Sequence, residues 1–315
     1  MLTKALQNPF VSTLAVALIV VALPLVVGSN FHIRLATMVY IFSIVVLGLN
    51  LLMGYAGQVS LGHAGFFILG AYSVALGPSQ LGLNPWLSMA GGVALTSALA
   101  FVIGRPLLRL SGYHLAMATL AFGAIVYVFI TNEVDLTGGP DGMQVQRANL
   151  SVLGLSHLMS WYWLAGGFLV LSMLILSNLL SSPAGRALRA LHDSEVAAGV
   201  LGIDVARAKL MAFVISAALA ALAGANLALL DGHITPAAGG ILRSVELLTM
   251  AVVGGLGSLV GSVAGAAFLV LLPQFLTEFH DYEHAILGFL LVVIMVMLPL
   301  GIVPSLNAVM RRWLP

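Results

Sequence analysis

From Leu35 to Gly104 the chain carries no charged residue. About 20 apolar residues span the roughly 30 Å hydrocarbon core of a bilayer, so this run must cross a membrane more than once. Further charge-free runs cover 110–132, 148–185, 210–230, 247–277 and 284–310. The 315 residues are 61% hydrophobic and 7% charged, against about a quarter charged in soluble domains. That balance excludes a disordered chain and a soluble enzyme. The absence of cysteine excludes a disulfide-stapled domain, a thiolate nucleophile and a Cys-ligated metal. The expected fold is an all-α polytopic membrane protein, a single transmembrane domain over 1–315 with about ten segments. These fall at 11–28, 35–53, 58–77, 86–104, 113–131, 161–180, 210–230, 247–258, 260–276 and 285–303.

Lys4 precedes the first apolar run. That run is too long for a cleavable signal peptide, and no small-x-small site follows it before Arg34, so it reads as the first span. Basic residues in short loops favour the cytoplasm. Placing Lys4, Arg105, Arg109, Arg186, Arg189, Arg207, Lys209, Arg311 and Arg312 inside leaves Arg34, Arg147 and Arg243 outside, with both termini cytoplasmic. The acidic residues then segregate the other way. Glu133, Asp135, Asp141, Asp231, Glu246, Glu278, Asp281 and Glu283 fall outside, and Asp193, Glu195 and Asp204 inside. Pro78, Asn84 and Pro85 mark an outer turn, and the stretch from Gly54 to Ser60 an inner one. Glu246 and Glu278 share a side but lie only about 31 residues apart. Two full spans need about 40, so two short, glycine-broken helices are expected there.

Two glycine-rich breaks interrupt the apolar pattern, GYAGQVSLGHAG at 54–65 and GGLGSLVGSVAG at 254–265. At a shift of 200, Gly54, Gly57, Ala64 and Gly65 fall on Gly254, Gly257, Ala264 and Gly265, the pattern of an internal repeat. Transporters often place unwound segments at matching positions of two halves, where irregular backbone survives by lining a cavity. Gly57, Gln58, Ser60, Gly62, His63, Gly65, Gly254, Gly257, Gly261 and Gly265 are therefore candidates for a translocation path. A packing reading competes, because Gly257, Gly261 and Gly265 have small-xxx-small spacing and need no substrate. The polar Gln58, Ser60 and His63 tilt the first break toward a path. Neither break has GxGxxG spacing or a Walker lysine.

Of the titratable groups, only His63 and His114 fall within the expected spans, and no carboxylate does. Ion-coupled carriers usually hold such groups near the midplane, so the energy source must lie elsewhere. The cytoplasmic connection at 181–209 offers one route. Pro183 can open a helix, Leu188, Leu191, Glu195, Ala198 and Leu201 follow at three- and four-residue steps, and Gly202 can end it. Such a helix suits docking on a soluble partner, and equally an ordinary solvated loop.

Glu195-x-Ala197-Ala198-x-x-x-Gly202 resembles the cytoplasmic loop through which ABC importer permeases engage their ATPase. GYAGQVSLGHAGF at 54–66, GRALRA at 185–190 and VVGGLGSL-x-G at 252–261 resemble, in the same order, branched-chain amino acid permeases of the LivM kind. The resemblance implies a non-catalytic permease subunit of the bacterial inner membrane, without cofactor or metal. It would work with a second homologous permease subunit, two ATP-binding subunits and a periplasmic substrate-binding protein, and with no nucleic acid. It also implies ATPase coupling through Arg186, Arg189, Glu195, Ala197, Ala198 and Gly202. Related permeases for urea or other small polar solutes share much of this pattern. An ion-coupled secondary carrier is the alternative from another class.

Overall fold

The computed structural model describes residues 9–26, 28–146, 148, 156–276 and several positions between 288 and 305. Lys4, Arg147, Glu278, Asp281, Glu283, Arg311, Arg312 and part of the expected span 285–303 lie outside the described residues. The chain is mostly helical. In order run α1 (Pro9–Val26), α2 (Asn30–Asn50), α3 (His63–Leu81), α4 (Pro85–Leu107), α5 (Gly112–Asn132) and the short α6 (Val134–Thr137). Then come β1 (Met143–Gln144), α7 (His157–Ser181), α8 (Pro183–Asp193), α9 (Glu195–Val200), α10 (Val205–Asp231), β2 (His233–Ile234), α11 (Ile241–Gly254) and α12 (Leu259–Leu276).

Among the described residues, six helical stretches are long and apolar enough to cross a membrane: Asn30–Tyr55, His63–Leu81, Pro85–Leu107, Gly112–Asn132, His157–Ser181 and Val205–Asp231. Two shorter apolar helices cover Phe10–Leu25 and Leu259–Gln274. The described residues thus support several spans and do not reach the expected ten. The third expected segment is corrected at its start, since 58–62 is irregular and α3 begins only at His63. The outer turn is corrected as well. Helix α3 runs through Pro78 to a left-handed cap at Gly82, and Asn84 then caps α4 by accepting from the Trp86 amide at 3.0 Å. Pro85 follows at the first helical position, where its missing N–H costs nothing.

Helices α2, α3 and α10 form the core. Most of α2 is buried although its sequence from Leu35 to Leu49 is lipid-like. Apolar burial does not drive helices together in lipid, so close contact through small residues must. A Cβ on Gly70 would overlap the Ala221 carbonyl, and one on Gly224 the Phe67 carbonyl, so α3 and α10 touch backbone to backbone. Helices α1, α4, α5 and α7 surround this core and show apolar outer faces that include Leu14, Leu95, Ile125 and Leu171.

Residues expected on one side of the membrane meet at one end of the bundle. Arg34 pairs with Asp231 at 2.9 Å, and β1 pairs antiparallel with β2, Met143 opposite Ile234. At the opposite end Glu195 pairs with Lys209.

Candidate functional site

Helix α2 does not end cleanly. A π-helical turn, Leu51–Tyr55, carries it to Ala56, and Gly57 then adopts a left-handed φ of 66°, open to glycine at no steric cost. The next five residues fold back under α3. Gln58 is buried, and neither atom of its amide has a hydrogen-bond partner among the described residues. His63 is also buried, held on both ring nitrogens: Ser60 Oγ lies 2.8 Å from Nδ1 and Ser216 Oγ 2.5 Å from Nε2. The Leu61 amide donates to Thr119 Oγ1 at 3.0 Å. A Cβ on Gly62 would overlap the Thr119 carbonyl, and one on Gly65 would sit 3.1 Å from Gly123 Cα. Gly62 and Gly65 therefore let α3 approach α5.

Both His63 nitrogens are occupied by hydroxyls, as in a satisfied core histidine rather than a proton relay. In the permease that the sequence resemblance implies, His63→Gln is accordingly expected to keep solute uptake within about threefold of wild type, with an unchanged pH profile, because each lost bond to a neutral group is worth only about 1 kcal/mol. A more than tenfold loss in a variant of normal melting temperature would give the histidine a direct role.

The second break follows the packing reading more closely. A Cβ on Gly254 would overlap the Gly261 carbonyl, one on Gly265 the Met250 carbonyl, and Gly261 sits equally tightly on Gly254. These three glycines close the α11–α12 hairpin. Gly257 differs: it is exposed, with a φ of 78° that matches Gly57 at the corresponding position of the first break.

The structure brings the two breaks together. A Cβ on Gly54 would overlap the Gly257 amide nitrogen. Asn50, fully buried at the end of α2, accepts from that amide on Oδ1 at 2.7 Å. Its Nδ2 faces the Ser258 carbonyl at 2.9 Å, the Gly255 carbonyl at 3.3 Å and Ser262 Oγ at 2.8 Å. The Tyr55 hydroxyl donates to the Gly257 carbonyl at 2.6 Å. Sequence reasoning passed over Asn50 and Tyr55. The usable signal was an asparagine standing alone in a long apolar helix, where a buried amide must find partners.

The 181–209 connection is two helices rather than one, a further correction. Ser194 takes extended backbone angles and caps α9, its hydroxyl accepting from the Ala197 amide at 3.2 Å. Gly202, at a φ of 80°, closes the segment as expected. Leu188, Leu191 and Ala198 are buried, so this face packs on the chain's own body, and Ala198 is not the partner-facing residue. Glu195 is engaged with Lys209, whose side chain is only 5% exposed. Arg189 donates to the Leu180 carbonyl at 2.7 Å and so satisfies the end of α7. Arg186 and Ala197 are exposed. His192 touches the first break, since a Cβ on Gly57 would lie 3.3 Å from its Nδ1 and 3.4 Å from its Cα. The connection and both breaks thus form one contiguous structure at one end of the bundle.

Residues 31–297 match the family model described as branched-chain amino acid transport system / permease component. The LivM permease protein of the high-affinity branched-chain amino acid transport system of Salmonella typhimurium is 34% identical, over 92% of this chain and 74% of that protein. LivM of Escherichia coli K12 is similar to the same extent. LivH of Escherichia coli K12, from a system of the same name, is 25% identical over 83% of this chain and 90% of its own length. No solved structure matches the chain. With its several apolar membrane-length helices, this chain belongs to the family of permease components of branched-chain amino acid transport systems.

Proposed function

We propose that the chain is one of two homologous permease subunits of an ATP-driven ABC importer for branched-chain amino acids in the bacterial inner membrane. Two ATP-binding subunits would bind it from the cytoplasm, and a periplasmic binding protein would deliver solute from outside. The observation that carries this reading is the contact of α8, through His192, with the first glycine break. A partner pushing on the 181–209 connection would thereby push on the irregular backbone beside the spans.

The similarity to both LivM and LivH favours pairing with a homologue. The amide of Gln58, without a hydrogen-bond partner among the described residues, favours a neutral polar path. Its one acceptor and two donors suit the ammonium and carboxylate of a zwitterion without introducing a fixed charge. Reconstitution with the candidate ATP-binding and binding-protein subunits tests the assignment. ATP-dependent uptake of leucine, isoleucine or valine is expected, and uptake of urea in their place would transfer the chain to the related solute class.

Orientation has its own test. The chain has no cysteine, so a single introduced one reports its own side. Asp141 and Asp193 are both exposed, at opposite expected sides. Asp141→Cys is expected to react with an impermeant thiol reagent from the periplasm, and Asp193→Cys only after the membrane is opened. Labelling of both from one side would overturn the arrangement.

A further inference from the structure

The bonds between the two breaks are unequal to a simple packing contact. Four polar groups of the second break, the Gly257 amide, the Gly255 and Ser258 carbonyls and Ser262 Oγ, converge on one side chain, Asn50. Tyr55, five residues on, holds the Gly257 carbonyl from the half-buried edge. Both residues lie on the π-distorted end of α2, and the next two residues, Ala56 and Gly57, lead directly beneath His192 of α8. The contacts therefore run in series, from α8 to the first break by backbone packing and from the first break to the second by hydrogen bonds. Gly57 and Gly257 both take left-handed angles, where a backbone can swing without a side-chain penalty.

We infer that Asn50 and Tyr55 form a latch that carries movement of the cytoplasmic helices from the first glycine break to the second, as positioning residues of the transport cycle. This rests on the ATP-driven reading above. Two breaks that moved independently would waste part of each stroke, whereas latched breaks rearrange as a unit.

The test reconstitutes the complete complex in proteoliposomes with Tyr55→Phe or Asn50→Asp. ATP hydrolysed per leucine imported is measured with binding protein and leucine present. Tyr55→Phe deletes one hydroxyl at a half-buried site, and the subunit is expected to assemble with its melting temperature unchanged. Hydrolysis should persist within about twofold while import falls, so that ATP used per leucine rises about fivefold or more, the lower end of typical coupling between sites. Asn50→Asp keeps the acceptor for the Gly257 amide but turns a carboxylate on the two carbonyls, and should uncouple further. Hydrolysis and import falling in proportion, or an unchanged ratio, would overturn the latch. If Asn50→Asp fails to assemble, Tyr55→Phe decides alone. A wild-type complex that hydrolyses no ATP would instead overturn the importer reading and the latch with it, an outcome visible before any variant is compared.

Discussion

Gly224→Leu is expected to leave little folded subunit in the membrane, whereas Gly167→Leu should insert and transport like wild type. Both glycines sit inside long apolar helices, and hydropathy cannot tell them apart. Their surroundings can. A Cβ on Gly224 would overlap the Phe67 carbonyl and approach the Ala71 amide, while one on Gly167 meets nothing within 4 Å. The overlapped atoms belong to the α3 backbone, so no rotamer change relieves them and α3 must move off α10. Gly70 holds the same two helices together against Ala221, so the shift would open both contacts. Overpacking a well-filled site typically costs 1–3 kcal/mol, and sometimes more. With backbone on both sides the cost should reach about 3 kcal/mol, a large share of the 5–15 kcal/mol that holds a typical protein together. Size-exclusion profiles and thermal melts of the solubilised protein check this. A monodisperse Gly224→Leu with the wild-type melting temperature would show that the α3–α10 contact is not close-packed.

How much of this could be read from the chain follows from what each signal measures. Charge-free runs mark where water is excluded, and they located α4, α5 and α7 to within a few residues, while α2 and α10 begin earlier than expected, at Asn30 and Val205. They are blind to backbone conformation inside an apolar stretch. That is why the third segment, expected from 58, starts only at His63, although the turn expected over Gly54–Ser60 is present. Glycine spacing identified both breaks, but it could not separate Gly254, Gly261 and Gly265, which close a hairpin, from Gly57 and Gly257, which stay exposed at left-handed turns. Asn50 went unnoticed because one amide hardly changes the mean polarity of a helix, although its buried bonds are what join the breaks. In the 181–209 connection only part of the expected series is buried: Leu188 and Leu191 on α8 and Ala198 on α9 are, while Glu195 and Leu201 are exposed. The period says only that a face exists and leaves open where the helix breaks and what covers it.

The same distinction decides how the 181–209 connection should respond to mutation. On α9, Ala198 is 1% exposed, whereas Val196 is 78% and Val200 85% exposed, and Leu201, which caps the helix, is 76% exposed. Val196 and Val200 are four residues apart and so share one helix face. Two apolar side chains left open on a six-residue helix, with a third at its cap, are unusual unless something covers them, and in the proposed complex that something is the ATP-binding subunit. Ala198→Arg would push a charge into the contact between α9 and its own chain, so melting temperature and ATPase association should fall together. Val196→Asp combined with Val200→Asp leaves that inner contact untouched. It should keep the wild-type melting temperature while copurification of the ATP-binding subunit and leucine uptake drop more than tenfold, because an unpaired charge buried at an interface costs about 2–5 kcal/mol. Should the double variant retain its ATPase and transport normally, α9 would be an interfacial helix resting on lipid headgroups, and the ATPase would have to bind elsewhere on the cytoplasmic surface.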